Sequence, residues 1–285
     1  MNLIALALML AATLCWGADQ TIGKLAVKRM SVSVFNALRP TFVAPLAIIF
    51  AFSTNSLSYP GAFLTAIAIL AGVISWCVAC ELYFYLLKRG AVHKILPIGN
   101  SHPVWGVFAA ILFLGEEVIF FIFVSAALVI IGAYFLAQKE QETGRWKRMV
   151  PLALLVALMW GAVIVLNKFC LNEGVKVGTL LTIEVISAAV ACNIVMGIHQ
   201  IRAGIKLDKK GVWLSFLSGF LGFFIGHVLY LSALGIEKAS VLAPINGAVI
   251  PFGFLLSILL VRERPSKKAI LGMVIVFTGV FLATI

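Results

Sequence analysis

LCWGADQTIGK, residues 14–24, follows an almost purely apolar run and carries an aspartate, a glutamine and a lysine. Its tryptophan–glycine pair, Trp16-Gly17, recurs as Trp160-Gly161, and Lys24 recurs as Lys168, each 144 residues on. Val163 stands where Asp19 would recur. Further along, the offset is 147: Leu82-Tyr83 matches Leu229-Tyr230, Pro97 matches Pro244, Glu116 matches Glu263 and Gly132 matches Gly279. Small insertions account for the drift, and a repeat of this length means that one structural unit occurs twice.

The unit is a membrane one. Of 285 residues, 62% are hydrophobic and 12% charged, with mean hydropathy +1.11. Soluble domains are about half apolar and a quarter charged. A hydrocarbon core of ~30 Å takes about 20 apolar residues per helix. Ten such runs occur: 3–23, 32–52, 63–87, 92–114, 118–137, 149–170, 177–199, 211–234, 238–261 and 267–284. None shows the alternation of a membrane barrel. The expected fold is an all-α integral membrane protein with ten transmembrane helices. Residues 1–140 form a first five-helix repeat and 149–285 a second. Because five is odd, the second repeat crosses in the opposite sense, giving the inverted repeat common among secondary transporters. The first run lacks a basic flank and a small-residue cleavage site, so it reads as a helix rather than a signal peptide.

Loop charge sets the expected orientation. Connections 1–2, 3–4, 5–6, 7–8 and 9–10 carry 18 Lys and Arg, against 3 (Lys168, Lys176 and Lys238) in the others. The positive-inside rule puts the first set in the cytoplasm and both termini outside the cytoplasmic membrane. The net charge of +11 then belongs to loops, and no basic segment is long enough to bind nucleic acid. Cys15, Cys77, Cys80, Cys170 and Cys192 lie in or beside apolar runs and read as packing residues. No metal or cofactor motif and no P-loop occurs, so no cofactor is expected.

The repeated pattern resembles the EamA family of the drug/metabolite transporter superfamily. The matching features are Trp16-Gly17 and Trp160-Gly161, Ala37-Leu38-Arg39 in the second helix, and the aromatic ends ELYFYLLKRGA (81–91) and HVLYLSALGIEKAS (227–240). Pro103 with Leu114-Gly115-Glu116, and Pro251 with Val261-Arg262-Glu263, complete it. The resemblance implies alternating access around a central site lined by helices 1–4 and 6–9, with 5 and 10 packed outside. Two departures stand out. Glu184 lies near the place of Arg39, and the 2–3 connection STNSLSYPGA is uncharged, whereas members of the family usually place both ends in the cytoplasm.

An ionisable side chain in hydrocarbon costs about 2.5–3.5 kcal/mol by insertion scales, so it faces a cavity or a partner. Asp19, Arg39 and Glu81 fall ~8–11 Å below one face at 1.5 Å per residue. Glu184 and His227 fall at similar depth below the other. Arg39 can therefore reach Asp19 or Glu81. The carboxylate left over would exchange a proton or bind a cationic group; alternatively the charges only fix helix packing. Trp16, Trp160, Tyr83 and Tyr230 are symmetry-related and suited to stacking on a ring or facing a cation, or else to helix packing. His102 precedes Pro103, whose ring frees a backbone carbonyl. Asn100 and Asn246, 146 apart, offer polar contacts, as interhelical hydrogen bonds or to a solute. Trp76 and Trp105 are less informative. Lys24 and Lys168 read as snorkelling helix ends. Glu116, Glu117 and Glu263 read as solvated turns.

A secondary transporter of a small organic metabolite is the first reading, with protons as a candidate coupling partner and the bilayer as surroundings. A flippase for a lipid-linked or sugar-type substrate is the alternative. An intramembrane enzyme lacks its motifs, with no G-x-S-x-G or H-E-x-x-H. Monomer and homodimer are both compatible with the sequence.

Overall fold

The computed structural model describes residues 2–90, 92–116, 120–137, 144–200, 207–261 and 266–282, and every element among them is helical. In chain order these are α1 (Leu3–Val27), α2 (Val32–Ser53), α3 (Ala62–Arg89), α4 (Val92–Gly99), α5 (His102–Leu114) and α6 (Phe120–Ala137). Then come α7 (Gly144–Asn172), α8 (Val177–Gln200), α9 (Lys209–Ile236), α10 (Ala239–Asn246), α11 (Val249–Leu256) and α12 (Lys267–Leu282). Side-chain caps start several of them. The Asn2 side chain accepts from the Ile4 and Ala5 N–H groups, that of Ser31 from Val34 and that of Asp208 from Gly211. Among the described residues, seven stretches are long and apolar enough to cross a membrane: α1, α2, α3, α7, α8, α9 and the α10–α11 stretch. Large apolar side chains such as Phe52, Leu112, Phe113 and Leu259 point outward, as lipid contact requires.

Two helices expected to be continuous are broken. The run 92–114 divides into α4 and α5 around Asn100 and Ser101. The run 238–261 divides into α10 and α11 around Gly247 and Ala248, then ends as a π segment, Ser257–Val261. Prolines explain both breaks. The ring of Pro103 conflicts with the carbonyl four residues back, at Gly99, and that of Pro251 with the one at Gly247. A second feature is absent from the sequence reading. α3 and α9 each contain a seven-residue π segment, Val73–Ala79 and Phe220–Gly226, at equivalent positions 147 apart. Such segments shift the side-chain face by about one residue.

The halves are interlocked rather than side by side. α1 packs on α9 and α11, and α7 on α3 and α5. α2 lies along α8, and α6 along α12. The glycines of the tryptophan–glycine pairs set the closest approaches. A Cβ on Gly17 would stand 2.7 Å from the backbone nitrogen of Gly253, and one on Gly161 would stand 2.6 Å from the Cβ of Trp105. Those partners lie on α11 and α5, in matching places. Lys24 and Lys168 are buried and do not snorkel. Lys24 donates to the carbonyls of Leu87 and Gly90, and Lys168 to those of Leu234 and Glu237, at 2.9 Å each. Each cation satisfies the orphan carbonyls at the end of its own half's third long helix. Glu116 is not merely a solvated turn either: its carboxylate accepts from the Ala239 and Ser240 N–H groups at 3.0 and 2.8 Å, capping α10. Glu117 and Glu263 lie outside the described residues.

Candidate functional site

A cavity opens between the halves, with about 660 Å³ of empty space counting the part open to solvent. Its walls carry two tryptophan–tyrosine pairs, each crossing from one half to the other. Trp16 meets Tyr230 with ring centres 5.2 Å apart at 54°, and Trp160 meets Tyr83 at 5.1 Å and 57°. Trp16 Nε1 donates to the carbonyl of Gly222 at 3.1 Å, and Trp160 Nε1 to that of Ser75 at 3.3 Å. Both acceptors lie in the π segments, where carbonyls are less tightly held by helix bonds. Between the pairs, Trp76 and Phe223, 147 residues apart, meet edge to face at 3.8 Å. The sequence reading set Trp76 aside, but it lines the cavity.

The charged residues form two buried pairs. Arg39 Nη2 donates to Asp19 Oδ2 at 2.6 Å, and Ser218 donates to Asp19 Oδ1. The Arg39 guanidinium lies 3.9 Å from the ring centre of Phe223, 4.8 Å from Phe84 and 5.0 Å from Phe35. On the other side, His227 Nε2 and Glu184 Oε2 are 2.5 Å apart. The choice of partner for Arg39 is thus Asp19. Glu81 sits away from the cavity, its side chain 23% exposed and 3.9 Å from His199 Nδ1. Depth alone put it level with Asp19 and Arg39. Helical rotation turns it aside, since one residue is 100° around from Cys80, which lines the cavity.

Of the twelve candidate residues, Trp16, Asp19, Tyr83, Asn100, His102, Trp160, His227, Tyr230 and Asn246 line the cavity. Arg39 and Glu184 stand behind its wall, each holding a residue that lines it. The sequence reading missed Gln20, whose carboxamide accepts from Tyr83 Oη at 2.7 Å and from Asn100 Nδ2 at 2.9 Å. Gln20 Nε2 donates back to Asn100 Oδ1 at 3.0 Å. Its spacing was the available signal: Trp16, Asp19 and Gln20 lie at i, i+3 and i+4, on one helix face. No such signal marks Phe223 or Ser218, which reach the site through the course of α9.

A family model for EamA-like transporters matches residues 3–138 and again 147–285. The chain belongs to the EamA-like transporter family. Among its relatives is an uncharacterized transporter of Archaeoglobus fulgidus, 22% identical over 291 residues and covering 98% of each chain. A solved crystal structure, 15% identical, superposes with a TM-score of 0.75 over 100% of this chain and 97% of that one, and shares the fold. This family member is an integral, multi-pass membrane transporter.

Proposed function

We propose that this EamA-family chain is a secondary transporter that carries a small, flat organic solute across the cytoplasmic membrane by alternating access. Ten crossings in two inverted five-helix repeats rock about the cavity, with the basic connections in the cytoplasm and both termini outside. The observation that carries the reading is the crossed tryptophan–tyrosine pairs. Each is built from both halves, so movement of one half against the other remakes both pairs around a bound ring. The mixed aromatic and amide lining supports a soluble solute over a lipid-linked one, which would need apolar walls open to the bilayer.

Proton coupling fits the Glu184–His227 pair better than the residues favoured by depth. Asp19 is held by Arg39 and Ser218, and Glu81 lies outside the cavity lining. His227 faces Trp76 and Tyr230 across the cavity wall.

Proteoliposome flux, screened with amino acids, amines and nucleosides under imposed pH gradients, tests this. Saturable flux is expected, falling at least tenfold in Trp16→Ala and in Trp160→Ala, an effect of the size known for a lost aromatic contact. Glu184→Gln is expected to flatten its dependence on the gradient. Unchanged flux in both tryptophan variants would sink the cavity as the site.

A further inference from the structure

The two halves of the cavity differ at one hydrogen-bonding station. In the first half, Gln20 and Asn100 face each other as a closed amide pair, and Tyr83 adds its hydroxyl to the Gln20 oxygen. The equivalents of Tyr83 and Asn100 are Tyr230 and Asn246, which line the cavity. The equivalent of Gln20, at the 144-residue offset of the tryptophan–glycine pairs, is Ile164, and it lines the cavity too. An isoleucine has neither the acceptor nor the donor of a glutamine. The consequence is visible in the partners. Tyr230 Oη and Asn246 Oδ1 have no hydrogen-bond partner, although Tyr230 is 4% exposed and Asn246 2%. His102 Nδ1 is likewise unpartnered at 6% exposure. Asn246 stands beside His102 and Asn167 beside Tyr230, close enough to interact, but Tyr230 Oη, Asn246 Oδ1 and His102 Nδ1 lack a partner in full hydrogen-bond geometry. Buried polar groups without partners are costly, and native structures keep few of them outside functional sites.

We infer that this end of the cavity takes an amide-type edge of the solute, an acceptor oxygen beside an N–H donor, where the first half uses the Gln20 side chain. The solute oxygen accepts from Tyr230 Oη, and its N–H donates to Asn246 Oδ1. Primary carboxamides, ureas and the lactam edges of heterocycles carry this pattern. Carboxylates lack the donor, and amines and ketones lack one half each. The Trp16 ring beside Tyr230 supplies an apolar face for the ring bearing that edge. The inference rests on the cavity being the transport site and adds the chemistry it selects.

Calorimetric titration of the purified full chain in detergent, with nicotinamide and 3-acetylpyridine, tests it. The two probes share a ring and a carbonyl and differ in the amide nitrogen. Nicotinamide is expected to bind about tenfold more tightly or better, because a buried acceptor left unpaired penalises the ketone. Ile164→Gln, which supplies the missing side chain, is expected to bring the two within about twofold. Tyr230→Phe, which removes a single oxygen, is expected to weaken nicotinamide about fivefold without lowering the melting temperature. Equal binding of the two probes by the parent chain overturns the inference. So does the absence of nicotinamide binding, or a preference that survives in both variants. If nicotinamide is not preferred but Trp16→Ala still abolishes flux of a transported solute, the cavity reading stands and only the amide edge fails.

Discussion

Arg39 heads the fully buried large side chains among the described residues, and its surroundings come from three other helices and its own. Asp19 on α1 accepts from it, Phe84 of α3 and Phe223 of α9 flank it, and Phe35 of its own helix closes the ring of aromatics. A buried ion pair adds little over well-packed apolar residues, but removing one partner leaves an uncompensated charge and costs about 3–5 kcal/mol. Asp19→Asn is therefore expected to destabilise the protein by that order, read as a fall in the thermal unfolding temperature in detergent. The double variant Asp19→Leu with Arg39→Met is expected to recover most of the loss. Full stability in Asp19→Asn alone would show that the pair does not hold the bundle. That Asp19 and Arg39 are level was legible in the sequence. That Glu81 is turned aside was not, because depth counts residues along a helix while contact depends on rotation about it.

At the scale of elements, the departures from regular helix gather around the cavity. α4 and α5 break beside Asn100 and His102, α10 and α11 break beside Asn246, and the two π segments supply the carbonyls that hold Trp16 and Trp160. In a membrane, irregular backbone survives where protein or a cavity satisfies it. Pro103 and Pro251 were the available signal for the breaks, although each run reads by hydropathy as one continuous helix. Nothing announced the π segments, since they depend on how neighbouring helices fit. The tightest fits are glycines. Gly17→Ala and Gly161→Ala are each expected to cost about 1–3 kcal/mol by overpacking. Gly235→Ala, where a Cβ would meet nothing within 4 Å, is expected to be neutral or stabilising by up to about 1 kcal/mol. Thermal unfolding of the three variants side by side measures this, and equal shifts in all three would refute the close-packing assignment.

For the whole molecule, interlocking is the decisive property. Asp19 of the first half is held by Ser218 of the second, Trp16 by Gly222, and Trp160 of the second half by Ser75 of the first. Neither half can complete its own core. Residues 1–140 and 149–285, expressed as separate chains, are expected to accumulate and co-purify only when both are present. Stable accumulation of either half alone would contradict this. On the orientation proposed from loop charge, a C-terminal reporter is expected to be active on the outer side. A cytoplasmic signal would reverse the orientation and leave the cavity untouched.

The sequence by itself determined the membrane character, the duplication and half of the residues that line the cavity. Composition, apolar run length and offset identities are properties of the chain read in order. The tertiary structure decided which carboxylate Arg39 holds, where the helices loosen, and that Gln20 has no counterpart at Ile164 to satisfy Tyr230 and Asn246. Those outcomes turn on rotation about helix axes and on partners held on different helices, which only packing fixes. For LCWGADQTIGK the consequence is concrete: Asp19 anchors a buried arginine, and the less conspicuous Gln20 beside it shows what the other half of the cavity lacks.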